Sequence, residues 1–168
     1  MANSTFSGPL RSESTVKTIS KNATTGTITE VTTLGDAPVS LSDGNVTLTN
    51  ATHSGRILFV PDGGQDNTYT LPAPIAGSVF RFVYAGGAAD ATDAIIVTPG
   101  NSNFFIGGVS FLDTDNEVSA VFSDGNSNSK IQINVPAGFD VTIVGLNTTN
   151  YQIFGSVTGA TAPTFADQ

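Results

Sequence analysis

The segment Lys130-Ile131-Gln132-Ile133-Asn134-Val135 alternates strictly between polar and apolar side chains. Because successive side chains of a β-strand point to opposite faces, this period of two predicts a strand with one buried face. The same spacing puts Phe80, Phe82 and Tyr84 on one face of a second strand. These two segments indicate a fold that is built from strands.

Residue composition favours strands along the whole chain of 168 residues. Val, Ile and Thr together number 49, whereas Leu, Lys, Glu, Gln, Arg and Met number 22, a ratio that favours strands over helices. Val118, Ala120 and Phe122 share one face of a further strand. We therefore predict an all-β body, an antiparallel β-sandwich or a jelly-roll or barrel-like form, with about 10–12 short strands.

Proline and glycine mark where the strands stop. Asp43-Gly44 lies between Val39-x-Leu41 and Val46-x-Leu48, a pattern typical of a β-hairpin. Four apolar runs each close on a proline, which cannot donate to a sheet: Val60-Pro61, Leu71-Pro72, Thr98-Pro99 and Val135-Pro136.

The composition changes near residue 50, since Ser and Thr make up 18 of the first 50 residues and 39 of all 168. We expect residues 1–50 to form an extended Thr/Ser-rich N-terminal arm with a weak hairpin, and residues 51–168 to form the β-sandwich body. Extended residues 1–21 reach roughly 70 Å, against a radius of gyration of roughly 15 Å for the body. Such an arm can lie on a neighbouring subunit or pack on its own body.

Charge is divided unevenly between these parts. Residues 1–21 hold three basic residues and one acidic residue, whereas residues 22–168 hold three basic and thirteen acidic residues, a net charge of −10. An acidic body repels phosphate backbones, so we expect no nucleic-acid partner. The N-terminus lacks the apolar core of a signal peptide and no apolar run approaches 18 residues, so we expect a protein made in the cytoplasm with no membrane partner.

The sequence favours a chain that is not an enzyme and that holds no cofactor or metal. It has no Cys, and its single His53 precedes Ser54-Gly55 without a Gly-x-Ser-x-Gly motif, so we interpret His53 as an exposed loop residue. The pairs Gly63-Gly64, Gly86-Gly87 and Gly107-Gly108 precede no helical pattern. They predict turns or bulges rather than phosphate loops.

Asp113, Asp115 and Glu117 alternate along the chain. On one face of a strand they could bind calcium or serve as a glycosidase carboxylate pair. The glycine of a calcium loop and an aromatic sugar cleft are both missing, so a solvated acidic edge or loop is the favoured interpretation.

Phe104 and Phe105 are adjacent, so a strand directs their side chains to opposite faces. One of the two rings must leave its own core face. It either fills the space between two sheets or contributes to a subunit interface.

Read as a whole, the sequence resembles virion structural proteins of marine tailed phages, especially those that infect cyanobacteria. The segments that carry the resemblance are Met1–Pro9, Lys17–Lys21, Phe59–Asp62, Thr68–Pro72, Phe82–Asp90, Phe104-Phe105 and Ser123–Asn128. Relatives often carry an aromatic pair with Trp near the C-terminus, where this chain has Tyr151 without Trp.

The resemblance implies a decoration, or cement, protein on the outer surface of a phage head, bound to the major capsid protein. It implies a homo-oligomer, with a trimer favoured over a dimer, whose N-terminal arms bridge capsid subunits. Arg11, Lys17 and Lys21 would pair with acidic capsid groups, while Phe6 and Leu10 fill shallow apolar sites. The alternative is a receptor- or carbohydrate-binding β-sandwich of a tail or fibre, which we expect to show Trp or Tyr platforms.

Overall fold

The computed structural model describes residues 18–31, 37–87, 91–115 and 117–168. The chain divides into two compact units, Met1–Asp36 and Ala37–Gln168. In the first unit, β1 (Thr18–Lys21) and β2 (Ile28–Val31) form an antiparallel hairpin. Asn22 closes its turn, because the Asn22 backbone N–H donates to the Thr27 carbonyl at 2.9 Å and its side-chain oxygen accepts from the Thr24 N–H at 2.8 Å.

In its described residues, the second unit is a two-layer β-sandwich with one short helix, α1 (Asn50–His53). Its strands, in chain order, are β3 (Val39–Ser40), β4 (Val46–Thr47), β5 (Arg56–Val60), β6 (Asn67–Thr70), β7 (Val79–Tyr84), β8 (Ala94–Val97), β9 (Phe104–Asp113), β10 (Val118–Phe122), β11 (Lys130–Ile133), β12 (Pro136–Gly145), β13 (Asn150–Gly159) and β14 (Thr164–Ala166). The larger sheet has seven strands in the order β10-β9-β13-β12-β7-β5-β3, and the smaller has five in the order β14-β11-β8-β6-β4.

The predicted all-β sandwich is confirmed, but its sheets are mixed rather than purely antiparallel. The pairs β3–β5, β5–β7, β4–β6, β6–β8 and β9–β13 are parallel. Successive strands of the first half alternate between the two sheets, so strands that neighbour each other within a sheet run the same way. The compact unit that contains these strands begins at Ala37, ahead of residue 51 where the sequence placed the start of the body.

The hairpin predicted at Asp43-Gly44 is wrong, because its two flanking strands belong to different sheets. The Leu41 N–H donates to the Phe59 carbonyl in the larger sheet, whereas the Leu48 N–H donates to the Thr70 carbonyl in the smaller one. The turn itself is held by the first residue of β6, since the Asn67 side-chain oxygen accepts from the Gly44 N–H at 2.6 Å. The segment therefore crosses from one layer to the other.

The core lies between the two sheets and follows the predicted alternation. Ile131 and Ile133 of the smaller sheet, and Phe80 and Phe82 of the larger one, are fully buried, while Tyr84 is half-buried. Tyr151 packs edge-on to Phe80, with ring centroids 6.3 Å apart. Each of these aromatic side chains removes a large apolar area from water, so they dominate the stability of the sandwich.

Three of the four proline signals fall where strands end. β5, β6 and β8 each stop immediately before, or within two residues of, the predicted proline. Pro136 is the exception, because it opens β12 rather than closing a run. Among the described residues, no helix has the length and apolar character needed to cross a membrane.

Candidate functional site

The edge strand β10 carries the most exposed apolar side chains of the described residues. Val118 and Phe122 are 72% and 70% exposed, and Ala120 between them is exposed as well. Leu112 on β9 lies directly opposite Val118 and is also exposed. Leu112, Val118, Ala120 and Phe122 form what we call the edge patch. The common face of Val118, Ala120 and Phe122 was predicted from the sequence, but its exposure and the position of Leu112 were not.

The edge patch lies on the outer face of the larger sheet, away from the core. On the other face of β10, Val121 is partly buried against the core, whereas Ser119 is exposed. Ala120 lies opposite Ser110 on β9, Ser110 lies opposite Ser156 on β13, and Ser156 lies opposite Asp140 on β12, so these residues share the outer face. The patch is therefore one margin of a broad surface that spans four strands.

Two glycines lie where the β9–β13 ladder of this surface is interrupted, a position that we call the bend. Gly107 on β9 and Gly155 on β13 have positive φ angles of 103° and 146°, which other residues rarely adopt. The β9–β13 pairing is continuous to Ile153 opposite Gly107, and it resumes at Ser156 opposite Ser110. A Cβ atom on Gly155 would collide with the Asp140 carbonyl oxygen of β12. Gly107-Gly108, predicted as a turn or bulge, thus marks an interruption of the ladder within strand β9.

A shallow depression of about 410 Å³ lies beside the bend. Its lining includes the Arg81–Asp140 ion pair, in which the Arg81 Nε–H donates to Asp140 Oδ1 at 2.9 Å. The hydrogen bond from Arg81 lowers the pKa of Asp140 below its ordinary value. Both side chains are more than 40% exposed, so the pair adds little to stability. Phe154, 49% exposed, contributes an apolar wall.

The depression combines an ion pair with an aromatic side chain and small polar groups. Its carboxylate is held ionised by a guanidinium, and its other lining residues are Thr142, Gly155 and Ser156 besides Phe154. A serine nucleophile needs a general base within hydrogen-bond reach, and the lining residues include no histidine or second carboxylate. The depression thus presents an aromatic ring and an ion pair to solvent.

His53 is the last residue of α1 and not a loop residue, so that prediction is wrong. Its Nδ1 lies 2.7 Å from the Thr52 hydroxyl and accepts from the Thr49 N–H at 3.1 Å. Thr49 caps the helix by accepting from the Thr52 N–H. The imidazole is thus part of a helix cap. Within the described ranges, no group of three His, Cys, Asp or Glu residues has the arrangement of a metal site.

The acidic residues 113, 115 and 117 lie at the β9–β10 turn rather than along one face of a strand. Asp113 ends β9, and its Oδ1 accepts from the Asp115 N–H at 2.9 Å. The Asp113 N–H donates to the Glu117 carbonyl at 2.9 Å. Asp115 and Glu117 are exposed. The turn therefore places acidic side chains immediately before β10.

At the far end of β10, Asp124 organises the next loop. Its carboxylate accepts from the Ser127 hydroxyl at 2.6 Å and from the N–H groups of Asn126, Ser127 and Asn128. These hydrogen bonds, that of the Ser127 side chain foremost, lower the pKa of Asp124 far below its ordinary value. Asp124 is exposed and ionised. Acidic groups therefore flank the edge patch on both sides.

The contact residues predicted from the sequence divide into two groups. Phe6, Leu10, Arg11 and Lys17 lie outside the described residues, and Lys21 is described only by its backbone position at the end of β1.

The other two predicted residues, Phe104 and Phe105, begin β9. Phe105 is fully buried between the sheets, with its ring centroid 6.4 Å from those of Tyr151 and Phe165. Phe104 is half-buried. Phe105 therefore faces the core, and Phe104 is the ring that leaves it. The two alternatives for that second ring stay predictions.

Comparison of the sequence with protein-family models gives no match, and comparison with curated proteins gives none either.

Proposed function

We propose that this chain is a non-enzymatic decoration protein that binds the outer surface of a phage head and stabilises the lattice of the major capsid protein. The observation that carries the proposal is the outer face of the larger sheet. There a rigid sandwich presents an apolar edge patch and an aromatic depression to its surroundings. Exposed apolar surface of this kind marks interaction sites on folded proteins.

The sequence resemblance supports the virion role. The charge distribution supports different roles for the N-terminal residues and for the body. The basic residues Arg11, Lys17 and Lys21 precede a body with a net charge of −10. In this proposal the N-terminal residues Phe6, Leu10, Arg11, Lys17 and Lys21 contact the capsid. The acidic body lies at the capsid surface, in homo-oligomers for which a trimer is favoured over a dimer. Many weak contacts repeated over a lattice add through multivalency.

Binding of purified protein to undecorated heads tests the capsid role. The full chain should co-sediment with heads and raise their resistance to heat, whereas a chain that begins at residue 22 should bind far more weakly. A matched control replaces Arg56 by Gln, since that residue bonds its own chain at the Ala37 and Thr52 carbonyls. Unchanged binding by the shortened chain would contradict the proposed role of the N-terminal residues.

The alternative is a receptor- or carbohydrate-binding sandwich of a phage tail or fibre. Phe154 beside the Arg81–Asp140 pair is the observation that favours it, because an aromatic ring next to polar groups can hold a sugar. Saturable and selective binding on a glycan array, lost in the variant Phe154→Ala, would support this role over the decoration role.

A further inference from the structure

The outer edge of β10 carries backbone N–H and C=O groups that do not pair with β9. The Asp113 N–H bonds to the Glu117 carbonyl, and the Ser123 N–H bonds to the Gly107 carbonyl. In an antiparallel pair, hydrogen-bonded residues alternate with residues whose N–H and C=O groups point away. The register therefore turns the backbone groups of Val118, Ala120 and Phe122 away from β9. β10 is the terminal strand of its sheet in the described part of the chain.

The usual protections of an edge strand are missing from β10. Natural edges carry Lys, Pro, a bulge or an inward-pointing charge that prevents another strand from pairing with them. The strand Val118-Ser119-Ala120-Val121-Phe122 has none of these residues and pairs with β9 in unbroken register. The same three residues that offer free backbone groups also expose their side chains on the outer face.

The acidic residues at the two ends of β10 favour some binding partners for this edge over others. If a second copy paired with β10 in antiparallel fashion about Ala120, Glu117 of one copy would lie against Ser123 and Asp124 of the other. Both of these acids are exposed, and Asp124 is held ionised by its hydrogen bonds. Glu117 and Asp124 of the two copies would then be one residue out of register, so their like charges would repel and disfavour this pairing. The same acids attract Lys or Arg on a different partner.

We infer that the β10 edge binds an extended polypeptide segment that carries Lys or Arg at its ends and apolar side chains at alternate positions between them. The segment adds an eighth strand to the larger sheet by backbone hydrogen bonds to Val118, Ala120 and Phe122. Its apolar side chains lie on the outer face beside Val118 and Phe122, and its basic ends meet Glu117 and Asp124. This is strand addition, a known mode of peptide recognition. The inference does not rest on the proposed function.

A synthetic peptide tests this inference on the full chain. The probe is Lys-Val-Thr-Val-Thr-Val-Lys, titrated while amide NMR signals are recorded. We expect the amides of Val118, Ala120 and Phe122 to gain protection from solvent exchange, while those of Ser119 and Val121 change little. A peptide with Glu in place of both Lys residues should bind roughly tenfold more weakly.

Two variants of Ala120 form a matched pair. Ala120→Pro removes an outward N–H that β9 does not use, so the sandwich remains folded and peptide binding is lost. Ala120→Val keeps the N–H and should retain binding. Peptide binding that survives in a folded Ala120→Pro variant, or binding that is equal for the Lys and Glu peptides, would overturn the inference. A concentration-dependent dimer that Ala120→Pro abolishes would instead assign the edge to a second copy and also overturn it.

Discussion

Val118 on β10 lies directly opposite Leu112 on β9, and both side chains face solvent, 72% and 39% exposed. An apolar cross-strand pair ordinarily stabilises a sheet by removing surface from water. Here that surface is left in contact with water at the margin of the larger sheet. The pair therefore adds little to folding and leaves apolar area exposed at this margin.

Truncation of one phenylalanine on this surface and of one in the core should have very different effects on the free energy of unfolding. Phe122→Ala should change the free energy of unfolding by no more than about 0.5 kcal/mol, because the ring is 70% exposed. Phe105→Ala should cost about 3–5 kcal/mol, because it opens a cavity among Tyr151 and Phe165. Urea unfolding of both variants measures the difference. Equal costs would show that Phe122 is buried in the folded protein.

The two buried tyrosines should respond differently to loss of the hydroxyl group. The Tyr151 hydroxyl donates to the Pro72 carbonyl at 2.8 Å, whereas the buried Tyr69 hydroxyl has only the Asn67 side chain beside it and makes no hydrogen bond of good geometry. Tyr151→Phe should cost about 1 kcal/mol, and Tyr69→Phe should be neutral or stabilising. Thermal unfolding of the two variants gives the comparison, and a larger loss for Tyr69→Phe would contradict it.

The bend of the outer face depends on Gly155. Gly155→Ala should destabilise the fold by more than about 2 kcal/mol, because φ is +146° and the added Cβ meets the Asp140 carbonyl oxygen. A Cβ atom added to Gly138, on the neighbouring strand, would meet no other group within 4 Å. Gly138→Ala is therefore the control and should change stability only slightly. Denaturant midpoints compare the two, and a tolerated Gly155→Ala would contradict the described bend.

Alkaline pH should unfold the protein through its tyrosines. Burial raises the pKa of Tyr69 and of Tyr151 from 10.0 to about 12. Between these values the unfolded chain loses phenolic protons that the folded chain keeps, so stability falls as pH rises, by up to about 1.4 kcal/mol per pH unit for each tyrosine. Stability below pH 10 is unaffected by these groups.

Ultraviolet titration of the phenolic absorbance measures the effect. Two of the three tyrosines should ionise only near pH 12 or on unfolding, and replacing both by Phe should remove the alkaline loss of stability. Ionisation of all three near pH 10 in the folded protein would contradict the described burial.

Local patterns predicted much of the sandwich, because burial acts on alternate residues of each strand. Ile131, Ile133, Phe80 and Phe82 are buried as their spacing predicted. Strand pairing was harder to predict from local patterns. β5 pairs with β7 and β6 pairs with β8, and in each case a strand of the other sheet lies between the two partners in the chain. Asp43-Gly44 has hairpin chemistry, but contacts from Asn67 hold it as a crossing between layers.

The candidate surface was harder to predict than the core. Val118, Ala120 and Phe122 alternate as buried residues do, and nothing in their spacing shows that β10 ends the sheet. In the sequence, only the acidic residues at 115, 117 and 124, which flank β10, indicate that this strand is exposed to solvent. The position of Phe105 between the sheets likewise depended on Phe165, which is 60 residues away in the chain.

The location of the protein on intact phage particles tests the central claim, a role at the head surface, most directly. Gold-labelled antibodies against residues 37–168 should decorate the heads of purified particles in electron micrographs, in a repeating arrangement over the lattice. Label confined to tails or fibres, or absent from intact particles, would contradict the decoration role.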